Sequence, residues 1–411
     1  MKVPAALTRI VAASLLLGSS AHATGQYNVV HYFTESAYTP TAGLVADSAG
    51  NLYGTTYSSS ADSCGEDGCG TVFKLTRESG GGWKYTVIHR FHLSDGAGPN
   101  SKLTFDSAGN LYGTCGSGGA SNTGTVFELS PSGSEWKIKV LYSFGQPPDV
   151  VGPWGAPAFD AKGNLYGSAN AGGAHDQGGI FELKHSSGQW KETVIHNFTG
   201  GSDGGVPGAV NLTSDSAGNL YGTTQAGGEY FNGVVYKLTP SSNGSWKEAV
   251  LYNFTGAADG SEPTSGVIFD AAGNLYGTAS AGGVKACGVD SQDYCGTVFE
   301  LKPSNGKWRF ARLHAFDGSD GWTPLFGLVL GSSGNVYGTT MAGGDDNDGL
   351  VFKLSKSGDT WTETMLHVFD QRDGAAPGEL MLGSQDELYG PTSIGGLGPQ
   401  PGYGVVFGVR P

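Results

Sequence analysis

The stretch Asp47–Thr56 reads DSAGNLYGTT. It returns as DSAGNLYGTC from Asp106, DAKGNLYGSA from Asp160, DSAGNLYGTT from Asp215 and DAAGNLYGTA from Asp270. Two further copies, GSSGNVYGTT from Gly331 and GSQDELYGPT from Gly383, lack the leading Asp. Seven copies spaced 52 to 61 residues apart predict a repeat architecture. A period in that range, with several strands per unit, is that of a β-propeller blade.

Working outward, each unit supplies four strands. Strand a is the run before the turn, GLVAD or GVIFD, and strand b is NLYGTT. A variable loop, usually opening with AGG, leads to strand c, GTVFKL and its variants. Strand d runs from a Trp to a Phe: Trp83/Phe91, Trp136/Phe144, Trp190/Phe198, Trp246/Phe254, Trp308/Phe316 and Trp361/Phe369. That leaves the seventh unit without a strand d. The missing strand is expected at the other end of the chain, where YNVVHYF (Tyr27–Phe33) matches YTVIHRF and ETVIHNF. The sequence thus predicts an all-β, seven-bladed propeller of four-stranded blades, closed by the N-terminal strand, which removes an exposed seam. In NLYGTT, Leu should face one neighbouring blade and Tyr the other, because both faces of a blade are covered. The Gly after Tyr marks close approach or a bulge, and the Asp and Gly of DSAGN suit an Asx-type turn with a positive φ.

Composition agrees. Seventy-one glycines and 15% charged residues could signal disorder, but the regularly spaced Leu, Val, Phe, Tyr and Trp can bury a core. Residues 1–23 read as a secretory signal: Lys2 and Arg9, the apolar run Ile10–Leu17, then Ala21-His22-Ala23. Residues 24–411 are then one exported domain, periplasmic or secreted, with no lipid anchor. A net charge of −14 repels phosphate backbones and anionic lipid, which excludes nucleic acid and membrane surfaces as partners. The apolar run is too short to span a bilayer. A monomer is expected.

Over its whole mature length the chain resembles the GloVer tandem-repeat family of bacterial exported proteins, on the recurring GNLYGTT…AGG…GTVFKL…W…LYSF. The order Tyr, Gly-Gly, Trp is also similar to a kelch-like blade. The resemblance implies the fold; it implies no established activity.

Five Cys suit an oxidising compartment, with local disulfides expected for Cys64–Cys69 and Cys287–Cys295, and Cys115 left as an inert thiol. A Cys-containing copper-oxidase cofactor is the alternative for Cys115, but no ligand set accompanies it. No metal or cofactor is expected. Asp precedes Pro by four residues in six d–a loops: Asp95, Asp149, Asp203, Asp259, Asp320 and Asp373. A ring of these round the pore mouth could bind a cation or a sugar; against that, Asp-Gly is simple turn chemistry. Strand d carries His31, His89, Tyr142, His196, Tyr252, His314 and His367, which lie in different blades and cannot converge on a metal. Departures from the repeat concentrate in the b–c loops, at His175, Asp176, Glu229, Tyr230, Phe231, Tyr294, Asp345, Asp346, Asp348 and Tyr403. Trp154 and Trp322 join them from d–a loops. Aromatics with carboxylates suit sugars. The expectation is a binding module for carbohydrate or cell-wall and surface ligands, acting through the face shared by the b–c and d–a loops. Whether it is an enzyme is open: a polysaccharide lyase or hydrolase on that face, using His175, Asp176 and Tyr230, is the alternative, and a structural surface protein is the third.

Overall fold

The computed structural model describes residues 25–60, 64–65, 68–146, 148–208, 211–283, 295–399 and 401–411. Residues 1–23, expected from sequence to be a signal, Cys287 and Tyr294 lie outside them. Seven antiparallel sheets form a ring. In blade 1 the order from the axis outward is Val45–Ala46, Leu52–Thr56, Thr71–Arg77, Trp83–Arg90, which are strands a, b, c and d. Blade 7 takes its outer strand from the other end of the chain. Gln26–Tyr32 pairs antiparallel with Val405–Arg410, from Gln26 opposite Arg410 to Tyr32 opposite Val405. The predicted closure is therefore the observed one.

The core lies between blades. Leu52, Leu44, Phe73 and Phe33 pack with Met381, Tyr389 and Val406 of blade 7. Tyr53 and Val72 instead pack with Leu103, Leu111 and Phe127 of blade 2. Adjacent residues of strand b thus serve opposite neighbours, and seven such clusters close the ring. Each buried Phe or Leu contributes roughly 1.5–3 kcal/mol. The Gly after Tyr makes room for a ring: a Cβ on Gly54 would stand 2.6 Å from Phe73 Cζ, and one on Gly113 2.5 Å from Phe127 Cζ. The irregularity of the blade is elsewhere, a register shift where strands c and d pair, between Val72 and Phe73.

The quoted turn is a hydrogen-bonded unit. Asp47 Oδ1 accepts from the N–H groups of Ala49 and Asn51, and Oδ2 accepts from Asn51 Nδ2 at 2.7 Å and the Tyr53 hydroxyl at 3.0 Å. Asp106, Asp160, Asp215 and Asp270 repeat it. Burial raises these carboxyls, yet the bonds from Asn and Tyr outweigh it and hold them below the ordinary Asp value. Blade 6 has Gly331 there and keeps only the backbone bonds of the turn; Asp386 of blade 7 instead accepts from the Ser332 N–H and from its hydroxyl at 2.8 Å.

Blades are clasped on the opposite face. The Gly before strand c lies against the d–a loop Pro of the next blade, as in Gly124–Pro153, Gly233–Pro263 and Gly404–Pro40. The residue before each Pro has positive φ: Thr39, Gly98, Gly152, Val206, Glu262, Thr323 and Ala376. That conformation aims its N–H across the interface, at the carbonyl just before the clasped Gly. Examples are Val206 N–H to Gln177 O at 2.8 Å and Ala376 N–H to Asp348 O at 2.9 Å.

Candidate functional site

One residue per blade stands at the axis immediately before the apolar start of strand a: Gly43, Lys102, Ala156, Asn211, Gly266, Gly327 and Glu379. Where four blades place nothing larger than a methyl, three place long polar side chains, and these meet. Lys102 Nζ is 3.0 Å from Glu379 Oε1, and Asn211 Nδ2 donates to Glu379 Oε2 at 3.0 Å. Asn211 is itself held by the Ala156 N–H, 3.0 Å from its Oδ1. The triad crosses the channel from blades 2, 4 and 7 and divides it. Toward the a–b turns lies a lumen of 670 Å³ lined by Val45, Leu103, Ile268, Val329 and similar residues. Toward the b–c and d–a loops lies a mouth of 430 Å³, within the usual range for small-molecule sites, about 300–1,000 Å³.

Thr39, Thr41, Tyr57, Asn100, Trp154, Gln225, Thr264 and Phe326 line the mouth, and the triad is its floor. Trp154 and Tyr57 are 40% and 47% exposed. A Cβ on Gly116 would stand 2.9 Å from Trp154 Nε1 and 3.7 Å from Asn100 Nδ2, so indole and amide sit side by side over a bare backbone. Asn100 Oδ1 is buried and accepts no hydrogen bond. The arrangement offers two aromatic faces, an unspent acceptor, a carboxylate and an ammonium with donors to spare.

Of the residues singled out from sequence, Trp154 is at this mouth. Trp322 is not: it lines a separate 240 Å³ cleft with Met341, Asp348, Ala376 and Ile394. His175 is an exposed loop tip, and Asp176 closes the b–c turn by accepting from the Gly172 N–H at 3.1 Å. Asn122 and Asn347 do the same in blades 2 and 6. Tyr230 and Phe231 project from the blade 4 loop.

The Asp series stands beside the outermost strands and does not encircle the pore mouth. Each Asp pairs with the strand-d His or Tyr: Asp95 with His89, Asp149 with Tyr142, Asp203 with His196, Asp259 with Tyr252, Asp320 with His314 and Asp373 with His367. It also caps the loop, as where Asp259 Oδ2 accepts from the Thr255 N–H. The two recurrent patterns are therefore one dyad, and its job is to fold the d–a loop back on strand d. Where the next blade adds Glu192, Glu248 or Glu363 against such a dyad, one oxygen of that Glu is buried without a partner. Burial first, then Asp149, Asp203 and Asp320 respectively, push these carboxyls up to about 7, 7 and 8. Among the described residues no three His, Cys, Asp or Glu groups converge for a metal.

Cys64 and Cys69 form a disulfide, and Cys295 is disulfide-bonded. Cys115 is a free, fully buried thiol, pushed well up by burial. Among the described residues no helix is long and apolar enough to cross a membrane.

Sequence reading missed Lys102, Asn211, Glu379, Tyr57 and Asn100. The available signal was the residue before strand a, where four Gly or Ala contrast with Lys, Asn and Glu.

Ring and mouth together define a repeat propeller. The chain belongs to the Gloeobacter/Verrucomicrobia repeat family, whose pattern matches residues 19–153, 135–290 and 287–411. Among curated proteins none matches the sequence. Among solved structures it is similar to virginiamycin B lyase from Staphylococcus aureus, at 11% identity and a TM-score of 0.55, covering 94% of this chain and 100% of that one. A protein from Lactobacillus plantarum matches at 14% identity and a TM-score of 0.50, covering 83% and 88%. At these identities the likeness is one of fold.

Proposed function

We propose that this protein is an exported binding module whose channel mouth holds a carbohydrate of a glycan or cell-wall surface. The observation that carries the reading is the pair of exposed aromatic rings, Trp154 and Tyr57, at a mouth whose floor is a carboxylate and an ammonium. The indole and the phenol take the C–H face of a sugar while its hydroxyls meet the polar floor. Glu379 and Lys102 then offer an acceptor and a donor to neighbouring hydroxyls. Export rests on the charged and apolar pattern of residues 1–23 and is supported by the disulfides. The test is a glycan and peptidoglycan-fragment panel followed by calorimetry. Trp154→Ala should weaken a hit at least about tenfold, the size of one lost stacking contact. Binding that survives both Trp154→Ala and Tyr57→Ala sinks the reading.

One observation favours an enzyme on the same site: Glu379 and Lys102 are a carboxylate and an ammonium 3.0 Å apart at the floor of the mouth, the raw material of acid–base cleavage. Turnover of a polysaccharide panel, abolished by Glu379→Gln with binding retained, would establish it.

A further inference from the structure

Eight large apolar side chains are exposed among the described residues, and all eight lie on one face of the ring, that of the b–c and d–a loops. Tyr57 and Trp154 belong to the mouth. The other six, Tyr32, Leu93, Tyr230, Phe231, Met341 and Leu397, lie outward of it on the rim, with Phe231 75% and Leu397 62% exposed. Phe231 is held there at a φ of 62°, a conformation an L-residue adopts at a cost. Among the described residues the six large exposed apolar side chains of the rim thus fall on one face, spread over blades 1, 4, 6 and 7.

Charge is divided in the same way. All seven d–a loops carry an acid, and Glu35, Glu229, Glu262, Asp345, Asp346 and Asp370 are exposed on this face. Among the described residues of these loops the Lys and Arg are Lys102 and Arg372, and Lys102 is paired with Glu379. Arg90 and Arg312 reach this face from strand d, each spent on a d–a loop carbonyl, Ser36 O at 3.0 Å and Ala258 O at 2.7 Å, while Lys137, Lys184, Lys247, Lys307 and Lys356 are exposed beside the c–d hairpins of the opposite end.

We propose that the rim of this face docks a basic polypeptide segment bearing apolar side chains, an occupant distinct from the sugar of the mouth. The charge pattern selects it. An acidic rim draws a cationic partner and orients its approach, while nucleic acid and anionic lipid present like charge; a second copy docked by its own lysine-bearing end is the competing occupant, which the oligomeric state decides. The exposed apolar six favour an occupant that carries apolar side chains over a purely ionic one such as a polyamine.

The probe is a synthetic peptide of lysine and leucine in equal parts, compared with a lysine–serine and a glutamate–leucine peptide of the same length. The lysine–leucine peptide should bind one per chain, weaken as salt rises to about 0.3 M, where screening sets in over a few ångströms, and protect residues 229–231 and 395–398 from hydrogen exchange. The triple variant Phe231→Ser, Met341→Ser, Leu397→Ser should bind it at least about tenfold more weakly with an unchanged Tm, while Lys247→Ser on the opposite end binds as the parent does. Equal binding of the lysine–serine peptide, binding of the glutamate–leucine peptide, or protection confined to the other face overturns the proposal. So does a dimer in sedimentation that the triple variant abolishes, since the face would then belong to a second copy. Sugar binding that fails while this succeeds separates the rim from the mouth.

Discussion

Pro99 of blade 2 lies so close to Gly70 of blade 1 that a Cβ on Gly70 would stand 2.6 Å from Pro99 Cδ. The same Cβ would stand 2.5 Å from the Thr56 carbonyl oxygen, and Gly70 has a φ of 89°. Gly70→Ala therefore meets backbone on one side, proline on the other, and a strained φ. A loss of at least about 3 kcal/mol is expected, read as a lower urea midpoint at an unchanged slope. A change within 0.5 kcal/mol, about the noise of a neutral surface substitution, would mean the clasp is not a tight contact.

Val206 is the one aliphatic β-branched member of the positive-φ series at the clasps, beside Thr39 and Thr323. An L-residue there costs about 1–2 kcal/mol, of which glycine gives back roughly 0.5–1 through its unfolded-state entropy. Val206→Gly should then stabilise by up to about 1 kcal/mol while keeping the N–H bond to Gln177. A rise in Tm of about 2 °C is the expected reading, and a fall would show that Val206 packing outweighs its strain.

Tyr27 stacks on His367 at a centroid distance of 3.6 Å, and its hydroxyl donates to the Asp373 carbonyl at 2.6 Å. It is the outermost strand of blade 7 reaching across to blade 6. Tyr27→Ala should cost about 3 kcal/mol, and removing residues 24–33, with Phe33 fully buried between blades 7 and 1, should unfold the ring. A truncated chain with the parent Tm would show that closure is not needed.

Glu192, Glu248 and Glu363 hold their protons more tightly folded than unfolded, with values of about 7, 7 and 8 against an ordinary 4.5. Between these limits unfolding releases protons, so stability should fall as pH rises from about 4.5 through 8. The five turn carboxylates, held below 3.8, act oppositely, and their contribution is lost as pH falls below that value. Calorimetric Tm should therefore be highest near pH 5. Glu363→Gln should flatten the alkaline limb; an unaltered limb would place its origin elsewhere.

The blade was legible because Leu52 and Tyr53 face opposite neighbours, so every copy obeys the same demand and the pattern survives seven times. Closure was legible for the same reason: Phe33 fills the seat that Phe91 fills in blade 1. The mouth was not. Lys102 and Glu379 are 277 positions apart and meet only once the ring is closed. Each is unremarkable at its own position, and their meaning lies in breaking a row of Gly and Ala. The Asp and His series were both visible, but His314 and Asp320 come together only because the intervening loop turns back on itself. Asp176 differs from its repeat equivalents in letter but not in task, which is why divergence alone misplaced it among ligand-binding residues.

Asp386 reaches from blade 7 to complete the turn of blade 6, where Gly331 has lost its own carboxylate. The two most altered repeats have thereby become interdependent. A copy of blade 6 inserted elsewhere in the ring would keep the backbone bonds of its turn but arrive without a carboxylate for Ser332, and a chain cut between the two would separate Ser332 from its acceptor. The other turns are self-contained, but at this seam the smallest transferable piece is a pair of blades.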